Sequence, residues 1–246
     1  MRIALLADIH ANREALEACL AHAEEQRADR FVFLGDYVNY GADPEWVVAT
    51  LMQRVESGAI AVLGNHDAAV GEWDASMTSP AEVALDWTRV QLGSEHRAFL
   101  AGLPLTHEEG DLLFSHADPS APEKWAYVMD VQDAARCMRA VSRRITVCGH
   151  VHKPALYCTS PAAKITSFRP VAGVPVPLLA QRQWLAVVGS VGQPRDGVPA
   201  AAYALLDLSR GEITTHRVAY DIDASAEKIR AAGLPEMLAE RLRSGV

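Results

Sequence analysis

The sequence predicts an α/β fold in which two mixed β-sheets pack as a sandwich flanked by helices, an α/β/β/α arrangement. Two observations support this prediction. The first 150 residues alternate short apolar runs with amphipathic helical patterns, and residues beyond 154 carry short β-rich runs separated by prolines. A chain of 246 residues is long enough for one large domain and short for two, so we expect a single domain over residues 1–246.

The N-terminal part of the chain predicts two consecutive βαβ units. Residues 3–7 and 31–34 are apolar runs typical of buried parallel strands, and the connection between them has helical periodicity. Asp43, Pro44 and Glu45 provide an N-cap, a first-position proline and an acidic first turn for a helix that runs to about residue 55. Residues 59–63 predict the third strand, which ends at Gly64.

The remaining elements follow from the same patterns. Residues 68–103 have helical periodicity and predict a helical insertion of two helices beside the cleft. Strands are predicted at 111–115 and 145–148, on either side of a helix at 131–142. Residues 155–157, 184–188, 201–207 and 212–218 predict antiparallel strands that form the second sheet. Residues 222–244 predict one or two C-terminal helices with a break near 233–235.

Composition argues against several classes of function. The net charge is −8 without blocks of like charge, so binding of nucleic acid by a basic face is not expected. The sequence shows neither a signal-peptide pattern nor an uncharged run of membrane-spanning length, and its four cysteines have no paired spacing. We therefore expect a cytoplasmic protein without disulfides or membrane association, whose oligomeric state the sequence leaves open.

Side chains that can bind metal ions follow five of the predicted strands, at the point where each apolar run ends. Because ligands of open α/β sheets bind beyond the carboxyl ends of the strands, we expect these side chains to converge. The five clusters are Asp8-Ile9-His10, Gly35-Asp36, Gly64-Asn65-His66-Asp67, Ser115-His116 and Gly149-His150-Val151-His152.

Each cluster alone is a weak signal, because an aspartate near a histidine is also compatible with a helix cap and a surface imidazole. The joint pattern is more specific, since five of the nine histidines fall in the clusters. Carboxylate, imidazole and amide ligands without thiolate suit Mn²⁺, Fe²⁺ or Zn²⁺, with Ni²⁺ and Mg²⁺ also possible. Seven ligands exceed the need of one tetrahedral ion and predict two divalent ions that share a carboxylate, a site suited to attack on phosphorus.

The five motifs in this order resemble the calcineurin-like metallophosphoesterase superfamily, and they span residues 8–152. The resemblance implies the superfamily's sandwich fold and in-line attack on a phosphate ester by a hydroxide that bridges two metal ions. It implies that Asp36 bridges the ions. It assigns the remaining ligands as Asp8, His10 and His152 for the first metal, and Asn65, His116 and His150 for the second.

The resemblance also implies a catalytic role for His66, which matches a position that contacts the phosphate and can protonate the leaving oxygen. We expect its neighbour Asp67 to orient the imidazole through a hydrogen bond. The alternative for His66 is a structural residue behind the metal ligands.

Two further residues are candidates for substrate binding. Asn12 stands where the first helix begins, so its amide and the free backbone donors can bind an anionic oxygen, although a simple N-cap is an equal alternative. Arg195 lies in the glycine-rich loop 189–197 and can contact a substrate phosphate or pair with a carboxylate such as Asp196. Aromatic residues beside the motifs, which can stack a nucleobase but more often pack helices, are Tyr40, Trp73, Trp87, Trp125 and Tyr127.

Departures from the superfamily's motifs narrow the substrate class. Protein Ser/Thr phosphatases carry Asp-Arg-Gly shortly after Gly-Asp, whereas this chain has Asn39-Tyr40-Gly41. The chain instead resembles the small bacterial and archaeal phosphodiesterase-type branch, which predicts a small phosphorylated or nucleotide substrate. The alternatives are a hydrolase of dinucleoside polyphosphates such as diadenosine tetraphosphate, a protein phosphatase and, last, a non-catalytic metal-binding scaffold. The scaffold is disfavoured because His66 and all seven ligands are present.

Overall fold

Two six-stranded mixed β-sheets form the centre of the computed structural model, which describes residues 1–71, 79–160, 162 and 164–246. The strands are β1 (Arg2–Leu6), β2 (Arg30–Phe33), β3 (Ile60–Ala61), β4 (Thr106–Glu109), β5 (Leu112–Ser115), β6 (Ile145–Cys148), β7 (Ala155–Thr159), β8 (Ile165–Phe168), β9 (Val176–Pro177), β10 (Trp184–Val187), β11 (Ala201–Asp207) and β12 (Glu212–Val218).

Helices connect and cover the strands. They are α1 (Arg13–Glu25), α2 (Pro44–Glu56), α3 (Asn65–Ala69), α4 (Ser79–Gln91), α5 (Ser94–Ala101), α6 (Val131–Ala140), α7 (Ile222–Ala231) and α8 (Glu236–Ser244). Across residues 1–71, 79–160, 162 and 164–246, no helix is long and apolar enough to cross a bilayer.

Each sheet contains a parallel group of three strands. The first sheet has the order β3-β2-β1-β11-β12-β9, in which β1, β2 and β3 are parallel and β11 is antiparallel to β1. The second has the order β4-β5-β6-β10-β7-β8, in which β5, β6 and β10 are parallel and β7 is antiparallel to β10. The connections after the parallel strands supply the candidate site.

Three layers of apolar packing hold the sheets and helices together. Ile3 and Leu5 of the first sheet pack against Phe114 and Val147 of the second, which forms the core between the sheets. The opposite face of the first sheet packs on α1, whose buried residues recur at helical spacing, and on α2. The outer face of the second sheet packs on α6. The predicted α/β/β/α sandwich is therefore confirmed.

The predicted division of strands between the sheets is wrong. β11 and β12 belong to the first sheet, where Ala4 of β1 lies opposite Leu205 of β11, whereas β5 and β6 belong to the second. A buried central strand needs backbone partners along both edges, and β1 obtains its second partner from far along the chain. The prediction also missed β4, β8 and β9, whose intermediate or exposed residues at sheet edges lack an apolar strand pattern.

The two helical segments flank the sandwich. Within the predicted insertion at 68–103, α4 and α5 are separated by a short connection, and residues 72–78 lie outside the described residues. The C-terminal segment forms α7 and α8, with a break at Gly233, whose φ is +70°, and Pro235. The assignment of the whole chain to a single domain stays a prediction.

Candidate metal centre

The five polar clusters meet at the carboxyl ends of the parallel strands. The loops after β1 and β2 are joined by backbone hydrogen bonds, from the Asp8 N–H to the Gly35 carbonyl at 3.0 Å and from the His10 N–H to the Asp36 carbonyl at 3.0 Å. The loop after β6 joins them, because the His150 N–H donates to the Asp8 carboxylate at 3.1 Å. Three loops from both sheets therefore form one framework.

Asp8, His10 and His152 form one compact group, which we term the first half-site. Their ligand atoms lie within 4.8 Å of one another, and all three side chains are buried. The Nε2 atoms of His10 and His152 are 3.2 Å apart, and the His152 Nε2 is 3.5 Å from an Asp8 carboxylate oxygen. Three ligands of the predicted first metal thus face one point.

The second half-site consists of Asn65, His116 and His150. The His116 Nε2 lies 3.2 Å from the Asn65 Oδ1 and 3.0 Å from the His150 Nδ1. The Asp36 Oδ2 lies 3.2 Å from this His116 nitrogen and 3.9 Å from the His10 Nε2 of the first half-site. Asp36 therefore stands between the two half-sites, as a bridging carboxylate would.

The hydrogen bonds of the histidines fit a cation. The Nδ1 atoms of His10 and His152 face the backbone carbonyls of Val38 at 3.2 Å and Gln193 at 2.6 Å. Because a carbonyl only accepts, each Nδ1 carries the hydrogen, which leaves the Nε2 lone pairs directed at each other. A cation between them satisfies both, and metal-binding histidines commonly donate their other N–H to a carbonyl in this way.

The pKa values differ between the half-sites. Burial holds the pKa of His10 and His152 well below the usual range and raises the pKa of Asp8 to about 7. Burial acts to lower the pKa of His116 as well, but the charge and hydrogen bond of Asp36 outweigh it and raise that pKa to about 9. Burial would raise the pKa of Asp36, yet neighbouring histidines, His116 foremost, hold it well below its usual range.

The backbone of the site is strained in a way that fixes the ligands. Among the described non-glycine residues, ten have positive φ, and five of these are candidate metal ligands. Such conformations persist only where the surrounding structure holds them, and they cluster at functional sites. The five ligands are Asp8 (54°), His10 (49°), Asp36 (57°), His150 (68°) and His152 (61°).

Glycines allow the loops to approach one another. A Cβ atom on Gly64 would lie 2.1 Å from the Asp36 backbone nitrogen, and one on Gly192 would lie 1.8 Å from the Ile9 carbonyl oxygen. A side chain at either position would push apart the loops that present the ligands. The glycine of the Gly-Asn-His-Asp motif is therefore required by packing, while its extended backbone, with φ −104°, is open to other residues.

His66 lies at the edge of the centre, with its Nε2 3.9 Å from the Asp36 Oδ2. Its ring is held on both sides, by the Asn39 Nδ2 at 2.8 Å from its Nδ1 and by the Tyr40 hydroxyl at 3.2 Å from its Nε2. The sequence prediction missed Asn39 and made no site assignment for Tyr40. Both residues could have been proposed as site residues from the sequence, because they lie in the loop that begins with the metal-ligand motif Gly35-Asp36.

Asp67 has a different role from the one predicted. Its carboxylate accepts backbone hydrogen bonds from Gly64 at 3.0 Å, Asp36 at 2.8 Å and Tyr37 at 2.8 Å. The expectation that Asp67 hydrogen-bonds the His66 ring is therefore wrong. Asp67 is the third residue of α3, so its side chain turns back to the free N–H groups at the start of that helix. It joins the loop after β2 to the loop after β3.

Asn12 caps α1, as its structural alternative predicted. Its Oδ1 accepts from the Ala15 N–H at 3.1 Å and from the Ser225 hydroxyl at 3.0 Å. Its Nδ2 donates to the Gly192 carbonyl at 2.9 Å. These bonds tie the start of α1 to the glycine-rich loop and to α7, while contact between Asn12 and substrate stays a prediction.

Arg195 lies beside the first half-site. Its Nε and Nη2 donate to the Gln193 side-chain oxygen at 3.2 and 2.8 Å, and its guanidinium lies 5.8 Å from the centre of the Tyr40 ring. Asp196 pairs with Arg217, so the alternative that Arg195 pairs with Asp196 is wrong. Contact between Arg195 and a substrate phosphate stays a prediction.

Aromatic rings cover the two half-sites unequally. Tyr40 is buried against His10, with ring centres 4.5 Å apart. Tyr127 stacks on His150, with centres 4.1 Å apart and planes at 14°, and it remains 47% exposed. Trp125 contacts His116 edge-on at 6.0 Å, Trp87 packs with the C-terminal helices, and Trp73 lies outside the described residues.

Comparison with known proteins gives consistent matches over the chain. A sequence profile described as the calcineurin-like phosphoesterase superfamily domain matches residues 1–211. Protein MJ0912 of Methanocaldococcus jannaschii is 34% identical over 249 residues, which covers 99% of this chain and 98% of that protein. A metallophosphoesterase structure from Sphaerobacter thermophilus has a TM-score of 0.89 at 36% identity, covering 100% and 99% of the two chains. Protein PH1004 from Pyrococcus horikoshii shares the fold, with a TM-score of 0.82 at 19% identity and coverage of 100% and 98%.

Proposed function

Since the chain belongs to the calcineurin-like phosphoesterase superfamily, we propose that it is a hydrolase of phosphate esters that depends on two divalent metal ions. The observation that supports this most directly is the Asp36 carboxylate between two buried groups of metal-binding side chains. Asp8, His10 and His152 would hold one ion, Asn65, His116 and His150 the other, and Asp36 both.

The donor set suits the proposed cofactor. Imidazole, carboxylate and amide oxygen without thiolate favour Mn²⁺, Fe²⁺ or Zn²⁺, and Ni²⁺ and Mg²⁺ are compatible with it. Two such ions, when bound, supply an activated water and neutralise the charge of the phosphate ester. The backbone carbonyls that hold the Nδ1 atoms of His10 and His152 keep the opposite nitrogens directed inward, so these ligands need little reorganisation.

His66 is the proposed catalytic side chain for the leaving group. Its Nε2 lies 3.9 Å from the shared Asp36 Oδ2, and the Tyr40 hydroxyl limits its rotation. His66, His10 and Asp36 also lie close enough together to hold a metal ion, so the assignment of His66 to the leaving group rests on the resemblance to the superfamily. From there the imidazole would hydrogen-bond or protonate the leaving oxygen while the bond between phosphorus and that oxygen breaks. Arg195 lies on the side of the first half-site. It would contact a phosphate oxygen through the guanidinium N–H groups that do not donate to Gln193.

A phosphodiester or nucleotide is the proposed substrate class. Tyr40 stands where protein phosphatases carry the arginine of Asp-Arg-Gly, which weakens the protein phosphatase alternative. The exposed ring of Tyr127 beside the second half-site offers a stacking face for a nucleobase, which supports a nucleotide or dinucleoside polyphosphate over a peptide. A non-catalytic metal-binding scaffold is the least supported alternative.

Hydrolysis of bis(p-nitrophenyl) phosphate with Mn²⁺ by the wild type and by His66→Asn tests the function. We expect the substitution to lower kcat by roughly 10²- to 10⁴-fold because it removes the side chain that stabilises or protonates the leaving oxygen. The metal content, measured in the same samples, should remain unchanged. Near wild-type rates with intact metal content would contradict the catalytic role of His66.

Gln183→Ala is the matched control for loss of a hydrogen-bonding side chain. Its amide donates to the Val141 and Arg143 carbonyls at 2.9 and 3.2 Å, away from the metal centre. Product analysis with diadenosine tetraphosphate, cyclic nucleotides and a phosphopeptide, under the same conditions, separates the substrate classes. Preference for the phosphopeptide would favour the protein phosphatase alternative.

A further inference from the structure

Asn39 is a buried polar residue with an unusual backbone beside the centre. Its φ is +71°, and that of Tyr40 is +68°, so two consecutive non-glycine residues adopt the left-handed conformation. Asparagine tolerates this conformation better than most residues, but tyrosine does not. Strained backbone persists only where the surrounding structure holds it, and it clusters at functional sites, so these two residues are candidates for a functional role.

The orientation of the Asn39 amide is determined by two backbone groups. Its Oδ1 accepts from the Tyr40 N–H at 2.7 Å, and its Nδ2 donates to the Ala81 carbonyl of α4 at 3.1 Å. A flipped amide would direct its NH₂ group at an N–H and its oxygen at a carbonyl. The hydrogen-bond network therefore assigns the oxygen and the nitrogen.

This orientation dictates how Asn39 meets His66. The Asn39 Nδ2 lies 2.8 Å from the His66 Nδ1, and an amide nitrogen of this kind only donates. The Nδ1 must therefore accept, which in a neutral imidazole leaves the hydrogen on Nε2. That Nε2 lies 3.2 Å from the Tyr40 hydroxyl and 3.9 Å from the Asp36 Oδ2, on the side of the metal centre.

We propose that Asn39 is a positioning residue that fixes the tautomer of His66, so that the neutral ring donates a hydrogen bond from its Nε2–H to the leaving oxygen and stabilises the charge there while keeping its proton. The inference deepens and rests on the proposed function, since His66 acts on a leaving oxygen only if the site hydrolyses esters. An aspartate at position 39 would accept instead of donate. It would favour a hydrogen on Nδ1 and leave the Nε2 of a neutral ring without one.

Nitrogen NMR reads the tautomer directly and does not require turnover. Full-length protein with ¹⁵N-labelled histidine is loaded with Zn²⁺, which is diamagnetic, and the His66 signals are assigned by their loss in His66→Asn. We expect the shift of a protonated nitrogen at Nε2 and of an unprotonated nitrogen at Nδ1. A hydrogen on Nδ1, alone or together with one on Nε2, would overturn the proposal. In Asn39→Asp the hydrogen should move to Nδ1.

Leaving-group dependence is the second readout. For Asn39→Ala and Asn39→Asp we expect kcat for a phenyl phosphodiester to fall by roughly 10- to 100-fold, because the group that orients a reacting side chain is lost or reversed. The loss should be smaller for a p-nitrophenyl ester, whose leaving oxygen needs less assistance. Metal content and KM should remain unchanged. Asn39→Asp keeps the side-chain size, so it carries the test where Asn39→Ala does not fold.

Gln183→Ala again serves as the control, and it should change neither the His66 nitrogen shifts nor the leaving-group dependence. Equal loss on both esters in the Asn39 variants, with unchanged His66 shifts, would overturn the proposal and leave Asn39 a purely structural role. A wild type that hydrolyses none of these esters would contradict the proposed function instead. The NMR result would still decide the tautomer.

Discussion

The first half-site (Asp8, His10 and His152) and the second (Asn65, His116 and His150) are built from similar side chains, but they hold their protons differently. In the first, the pKa values of both histidines are low, so their rings are neutral. The group that binds a proton there below about pH 7 is the Asp8 carboxylate, because burial raises its pKa to about 7. In the second, His116 retains a proton up to a pKa of about 9, because Asp36 outweighs the effect of burial.

The difference arises because the shared Asp36 carboxylate lies closer to the second half-site than to the first. The Asp36 Oδ2 is 3.2 Å from the His116 Nε2 and 3.9 Å from the His10 Nε2, so in the metal-free protein it forms an ion pair with the second half-site. The first half-site is thus ready for a cation at lower pH than the second. A metal ion that enters the second half-site must first displace the proton of His116.

Removal of the shared carboxylate should have the largest effect. We expect Asp36→Asn to lower kcat with bis(p-nitrophenyl) phosphate by on the order of 10³-fold or more, because the substitution removes a charged ligand from both half-sites at once. Metal analysis after dialysis should show loss of ions from both.

Asp118→Asn is the control for loss of a buried carboxylate, since Asp118 accepts from Arg136 at 2.7 Å and from the Cys137 thiol at 2.9 Å and is no candidate ligand. It should retain both ions. If Asp36→Asn kept one ion in full occupancy, Asp36 would belong to a single half-site and the proposed bridge would be wrong.

The pH dependence of metal binding should separate the half-sites. Below a pKa of about 9, His116 binds a proton in the metal-free protein, so affinity at the second half-site should rise about tenfold per pH unit from pH 7 to about pH 8 and then level off through pH 9. The first half-site needs the Asp8 carboxylate, so its affinity should fall below pH 7 and level off above it.

Zn²⁺ titration calorimetry at pH 7 and pH 9, in two buffers of different ionisation enthalpy, measures affinity and proton release at each step. We expect about one proton released at the weaker site at pH 7 and about half of one at pH 9, where His116 is half protonated. Equal pH dependence at the two steps would contradict the difference in protonation between the half-sites.

The ligand residues were predictable because their chemistry is local. Each cluster directly follows an apolar strand, and parallel strands end at the same edge of a sheet, which accounts for Asp8 meeting Asp36 in the first sheet and His116 meeting His150 in the second. The two edges meet because the sheets are packed as the predicted sandwich. The pairing of strands, by contrast, depends on residues far apart in the sequence. β1 and β11 pair although Arg2 and Asp207 are 205 positions apart in the sequence, and no periodicity within either strand indicates the other.

The surroundings of His66 were not predictable, because they depend on side-chain direction. Asp67 is adjacent to His66 in sequence, yet the first turn of α3 directs its carboxylate to the backbone of Gly64. Asn39, more than twenty residues earlier, reaches the ring because the loop takes positive φ at two successive residues. Neither the direction of the Asp67 side chain nor the positive φ values at Asn39 and Tyr40 can be inferred from composition or residue spacing.

The smallest expected effect concerns access to the second half-site. Tyr40 is buried on His10, whereas Tyr127 covers His150 with one face and leaves nearly half of its surface exposed. If the exposed face stacks on the substrate, Tyr127→Leu should raise KM for a nucleotide ester by roughly two- to tenfold, as expected for loss of one aromatic contact. The value of kcat and the metal content should stay close to those of the wild type.

Tyr127→Phe is the matched control, because it keeps the ring and removes only the hydroxyl, and its KM should remain near that of the wild type. The non-aromatic substrate dimethyl phosphate provides a second comparison, on which both variants should behave alike. A loss of the second ion in Tyr127→Leu would mean that the ring supports the ligand His150. The exposed face of Tyr127 would then have no bearing on substrate binding, and the protonation of the ligands would remain the main difference between the half-sites.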